Sequence, residues 1–111
     1  MYLVILIIDK KDTVRLTEEL NANNIRSTRI ASTGGFLNGG NTTLFSGIEE
    51  ERVPELLDIV KSTCSKREAY EYVYYPSTYD HFGASGNNSF IKIEVGGAVA
   101  FLIRVEQYFR I

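Results

Sequence analysis

Residues Tyr2 to Ile8 form an almost unbroken apolar run, Tyr-Leu-Val-Ile-Leu-Ile-Ile. It is too short to span a bilayer and reads as a central strand buried on both faces. Asp9-Lys10-Lys11-Asp12 ends it, and Asp12 is positioned as the N-cap of a helix running to about Asn23, with Val14, Leu16 and Leu20 toward a core. Ile25 to Ser32 alternates apolar and polar residues, the period of a half-buried strand. Thr42 to Ile48 reads as a third strand. Glu49-Glu50-Glu51 puts negative charge where a second helix begins, and Pro54 fits only its first turn. Val53, Leu56, Leu57, Val60 and Cys64 then recur at helical spacing.

Tyr70 to Tyr75 fits a strand or an extended aromatic arm, serving either packing or a partner surface. Pro76 to Ser89, rich in Ser, Gly, Asn and Asp, reads as a long flexible loop. Phe90 to Val95 alternates as a fourth core strand, Gly96-Gly97 breaks it, and Ala98 to Val105 adds a C-terminal strand. The predicted order is β-α-β-β-α-β plus one strand: an α+β, ferredoxin-like pattern forming one domain over residues 1–111.

Between the second and third strands, Thr33 to Asn41 carries two Gly-Gly pairs and two Asn around Phe36-Leu37. Glycine lets backbone approach a ligand closely, successive free N–H groups can cradle an anion, and Asn offers a donor and an acceptor to a base edge. Phe36 can stack on a ring, and Arg26 and Arg29 supply cations for phosphate. These are the parts of a nucleotide clamp, although a flexible hairpin connection would use the same glycines.

With 12 basic and 14 acidic residues the net charge is −2, which argues against a broad nucleic-acid surface but leaves room for a local basic pocket. The single cysteine, Cys64, excludes an intramolecular disulfide and fits a reducing compartment. The N-terminal run lacks the basic lead and cleavage site of a signal peptide, so a cytoplasmic location without membrane insertion is expected. His81 has no companion with which to hold a metal, and nothing by sequence is placed to activate Cys64. No catalytic residue, metal or cofactor is therefore expected.

Thr33-Gly34-Gly35-Phe36-Leu37 followed by Gly40-Asn41-Thr42-Thr43 resembles the PII-like cyclic di-AMP receptor family of Gram-positive bacteria. The resemblance continues through Arg52-Val53, Thr63-Cys64, Arg67-Glu68 and Glu94-Val95-Gly96-Gly97-Ala98. It implies a non-enzymatic signal receptor: a homotrimer binding cyclic di-AMP in clefts between subunits and changing loop order to alter an unidentified protein partner. It further implies that Asn24, Arg26, Ser27 and Thr28 contact phosphate and base, that Gly35, Phe36 and Leu37 wrap the adenine, and that Asn41 reads the base edge. Gly47 would leave room beside the base, with Gly97 and Phe101 near the cleft. Phe101 fits core packing equally well, and the Gly96-Gly97 pair also fits a purely structural bulge. Ser27 and Asn38 depart from the residues usual in the family; Asn38 replaces a frequent basic residue. The alternative is a PII-type sensor of ATP or ADP and a small metabolite. The short connection between the second and third strands and the lack of a C-terminal basic cluster speak against it.

Overall fold

The computed structural model describes residues 1–31, 40–74 and 88–111. Its elements, in chain order, are β1 (Tyr2–Asp9), α1 (Thr13–Ala22), β2 (Thr28–Ala31), β3 (Asn41–Ile48), α2 (Val53–Cys64), β4 (Arg67–Tyr74), β5 (Asn88–Val95) and β6 (Ala98–Arg104). Short 3₁₀ turns, Lys10–Asp12 and Glu50–Arg52, lead into the two helices. The fold is mixed α+β: an antiparallel four-stranded sheet of order β2-β3-β1-β6, and a separate antiparallel pair β4-β5.

The apolar run of β1 lies in the middle of the larger sheet, as its continuous hydrophobicity requires. Alternate residues Val4, Leu6 and Ile8 are fully buried with Leu44 and Ile48 of β3, Leu16 and Leu20 of α1, and Val53, Leu56 and Val60 of α2. Both helices therefore cover one face. The opposite face carries the rows Thr28–Phe45–Ile5–Phe101, Ile30–Thr43–Ile7–Val99 and Gly47–Leu3–Ile103. Ile30, Phe101 and Ile103 remain 37%, 43% and 48% exposed there while Ile7 is buried, so this apolar face is partly exposed.

The final strands pair differently from the sequence expectation. Ala98–Arg104, expected as an addition, pairs with β1 and completes the four-stranded sheet, whereas Phe90 to Val95, among the described residues, pairs only with β4. The physical reason lies in the side chains. Strand β6 begins Ala-Val-Ala-Phe-Leu-Ile, apolar on both faces, while β5 carries Lys92 and Glu94 along one face. Asn88 and Ser89 belong to β5 rather than to the expected loop; the rest of that loop, 76–87, lies outside the described residues.

Helix α1 also departs in detail. Val14 is 67% exposed, because the core face is set by Leu16 and Leu20. The side chain of Asp12 makes no cap bond; Asp9 accepts from the Lys11 N–H instead, at 2.9 Å. The helix ends at Ala22, and Asn24 takes positive φ (+57°). The Asn24 and Ile25 N–H groups then donate to Asn21 and Leu20 carbonyls at 3.0 and 2.9 Å, a Schellman closure with Ile25 packed into the core. This closure delays β2, which starts at Thr28 rather than Ile25.

Two buried carboxylates tie the elements together. Asp12 accepts both terminal nitrogens of Arg67, at the start of β4, and Arg15 at 3.3 Å. Arg15 also donates to the Thr63 carbonyl of α2 at 2.7 Å. The second oxygen of Asp9 accepts the Gly96 N–H at 3.0 Å. Gly96 has φ +86°, and a Cβ there would lie 2.6 Å from the Ser65 carbonyl oxygen. Both the backbone angle and the close approach demand glycine.

Gly96→Ala is expected to cost about 3 kcal/mol from strain and contact, and Asp12→Ala about 2 kcal/mol by removing the charged acceptor that Arg67 and Arg15 share, each keeping only a backbone carbonyl. Urea denaturation of both variants checks this; losses below about 1 kcal/mol in each would show that the hub is dispensable.

Candidate nucleotide site

The end of α1, the segment into β2 and the end of β3 meet at a cleft of about 200 Å³ lined by Asn24, Ile25, Arg26, Gly47, Ile48, Glu49 and Arg52. Three residues singled out from sequence, Asn24, Arg26 and Gly47, are thus brought together. Arg26 is exposed, and its backbone carbonyl accepts the Ser46 hydroxyl at 2.7 Å, which fixes the segment to β3. Gly47 is exposed, and a Cβ placed on it would meet nothing within 4 Å. Its missing side chain therefore opens space rather than relieving a clash.

Arg52 is the cleft residue whose role sequence reasoning missed. Its guanidinium donates to the Asn23 carbonyl at 2.7 Å and the Asn24 carbonyl at 3.4 Å, and forks onto Glu55 at 3.1 and 3.2 Å. A signal was present: a cation stands at a helix N-terminus, where the macrodipole favours anions, and the three preceding glutamates mask it.

The remaining candidates lie elsewhere. Thr28 and Phe101 occupy one row across the open face, on either side of Phe45 and Ile5. Asn41 stands at the start of β3, buried and opposite Asp9. It is six positions from Gly47, which along a strand is about 20 Å. Ser27 and Arg29 line a separate depression of about 250 Å³ with Thr13, Val14, Thr17, Glu18 and Leu44, on the α1 side of the sheet. Arg26 and Arg29, expected to act together on phosphate, therefore address different surfaces, as alternation along the chain requires. Gly97 is buried at φ +90°, and its N–H donates to the Cys64 carbonyl. It borders a groove between α2 and β6, remote from the Arg26 cleft. Gly35, Phe36 and Leu37 lie outside the described residues, in the segment joining Ala31 to Gly40.

Among the described residues, no group of three or more His, Cys, Asp or Glu could hold a metal, and no helix is long and apolar enough to cross a membrane. Cys64 is buried at the end of α2. Burial, reinforced by the negative charge of Asp12, pushes its thiol up to about 11 from an ordinary 9.0. It is protonated at neutral pH and a poor nucleophile.

Across residues 1–111 the chain matches the family described as the cyclic-di-AMP receptor. It belongs to that family. Among solved structures it is similar to a functionally unknown protein from Pediococcus pentosaceus, 39% identical, with a TM-score of 0.76 over 99% of this chain and 96% of that one. A fainter likeness, 15% identical with a TM-score of 0.45 over 92% and 86% of the two chains, is to a protein of Thermus thermophilus provisionally described as PII-like and signalling. That likeness is too remote to argue from.

The raised Cys64 value has a consequence for pH. Between 9.0 and about 11 the folded chain holds a proton that the unfolded chain has lost. This contribution to stability is complete below pH 9 and disappears as pH rises through about 11. Denaturation curves across that range are expected to fall more steeply for the native chain than for Cys64→Ala; parallel curves would refute the assignment.

Proposed function

We propose that this chain is a non-enzymatic signal receptor that binds cyclic di-AMP in clefts between the subunits of a homotrimer. Family membership supports the ligand. The observation that carries the inter-subunit site is the distribution of the candidate residues. Asn24, Arg26 and Gly47 gather at one end of the sheet, whereas Asn41 and the attachment points of the Gly35-Phe36-Leu37 segment lie at the other. One strand-length, about 20 Å, separates the two groups. A compact dinucleotide engages both sets most simply when each comes from a different chain. The partly exposed apolar face between them, with Thr28 and Phe101, supports its use as a subunit contact.

In this reading the order β2-β3-β1-β6 is a ferredoxin-like sheet, and residues 1–111 act as one cytoplasmic domain. Arg26 neutralises phosphate as a permanent cation, Gly47 admits the base, and Phe36 provides the aromatic wall. Asn41 reads the base edge. Ordering of the Thr33–Asn41 and Pro76–Ser89 loops by ligand changes the surface shown to a protein partner, which requires ligand affinity to differ between the loop states.

Calorimetry with cyclic di-AMP is expected to show saturation near one ligand per chain, with no comparable heat from cyclic di-GMP or ATP. Arg26→Ala should weaken binding about tenfold or more through loss of a charge-assisted contact. Gly47→Val should keep the fold, since the strand has room for the side chain, and abolish binding by filling the cleft. Equal affinity of both variants and the native chain would exclude this cleft.

The two-ended site makes a second, independent prediction. In mixed trimers of Arg26→Ala and Asn41→Ala chains, about a quarter of the sites in a random equal mixture pair two intact ends across a head-to-tail contact. Native-affinity sites should therefore return, at about a quarter of the total, on co-folding two chains that each bind weakly alone. No recovery in verified mixed trimers would mean that both ends serve the same site from one chain.

A further inference from the structure

We infer that Arg52 is a positioning residue that holds the Asn24–Arg26 segment in its ligand-ready path, acting with Glu55; the inference rests on the receptor reading above. Asn24 sits in the left-handed region, which Asn tolerates better than other residues with a Cβ but which still favours a fixed helix end. The Asn23 carbonyl, at the C-cap, is among those that a helix end leaves without intrahelical partners, and the Asn24 carbonyl follows just beyond it. Arg52 supplies partners to both carbonyls from the N-cap position of the other helix. A guanidinium has five N–H groups, and its bonds to Asn23, Asn24 and both oxygens of Glu55 occupy four of them. So committed, Arg52 braces the cleft wall and leaves Arg26, the exposed cation of the same cleft, to meet phosphate. Glu55 does not line the cleft; it acts through Arg52, orienting the fork and balancing a cation that the α2 dipole disfavours.

A direct ligand contact and a positioning role separate experimentally, because Glu55 matters only to the second. Arg52→Gln, Arg52→Lys, Glu55→Ala and the double variant Arg52→Gln/Glu55→Ala are compared by two readouts. The first is amide exchange at Asn24 and Ile25, whose N–H groups close the helix end. The second is calorimetric affinity for cyclic di-AMP at two salt concentrations. Exchange at both amides should accelerate, and affinity should fall about tenfold, in Arg52→Gln and in Glu55→Ala alike, with no further loss in the double variant. The salt dependence of binding should stay that of the native chain, since no phosphate contact is removed. Arg52→Lys should not rescue, because an ammonium cannot span two carbonyls and a carboxylate. Native affinity in Glu55→Ala combined with a weaker salt dependence in Arg52→Gln would overturn the inference in favour of direct contact. Unchanged exchange in Arg52→Gln would overturn it as well. If the native chain fails to bind cyclic di-AMP, the receptor reading falls, and exchange alone still decides whether Arg52 holds the segment.

Discussion

The arrangement depends on a carboxylate that water cannot reach. Asp12 is 1% exposed, and its charge is tolerable only because Arg67 grips both of its oxygens and Arg15 adds a further bond. That single group joins the entrance of α1 to the root of β4 and, through Arg15 and the Thr63 carbonyl, to the exit of α2. Asp9, three residues earlier, takes the Gly96 N–H and fastens the reversal between β5 and β6. Remove these bonds and each element keeps its local preferences, but among the described residues the pair β4–β5 is then tied to the body chiefly by the Gly97 N–H on the Cys64 carbonyl and by the buried Val95. The ion pairs Lys92–Glu68 at 3.0 Å and Lys66–Glu94 at 3.6 Å join the two strands to each other rather than to the body, and are exposed and weak.

Much of this was legible from patterning. The runs that became β1, β3 and α2 announced themselves through apolar continuity or helical spacing, because those elements bury surface in the ordinary way. What failed was whatever depends on partners distant in the chain. Ile25 looked like the start of a strand because its burial is the same whether it belongs to a strand or to a Schellman closure. Asp12 looked like a cap because local rules cannot see Arg67, fifty-five positions later. The exchange of roles between the last two strands had a visible cue, the charges Lys92 and Glu94 on one and none through Ala98–Ile103 on the other. Acting on it required knowing that the vacant place beside β1 is apolar on both sides.

The site shows the same division. Residue types pointed to a nucleotide-like environment, and Asn24, Arg26 and Gly47 do converge. Alternation nevertheless sends Ser27 and Arg29 to the other side of the sheet, and Gly97 is engaged in the turn that its positive φ explains. Proximity along the chain is therefore a poor guide to shared duty in a strand, where neighbours face apart. Arg52 escaped notice for the opposite reason: it is remote in sequence from the turn it supports.

The projecting β4–β5 pair has a further consequence, concerning how the molecule moves through solution. The chain extends 68 × 23 × 19 Å with a radius of gyration of 19.0 Å, against about 13 Å for a compact domain of this length. An elongated particle experiences more friction than a sphere of equal mass. It therefore elutes early from a sieving column and tumbles slowly, as a heavier globule would. A single chain of this outline would pass for a heavier particle by elution volume calibrated on compact standards, and a method that weighs the particle independently of its outline avoids that error.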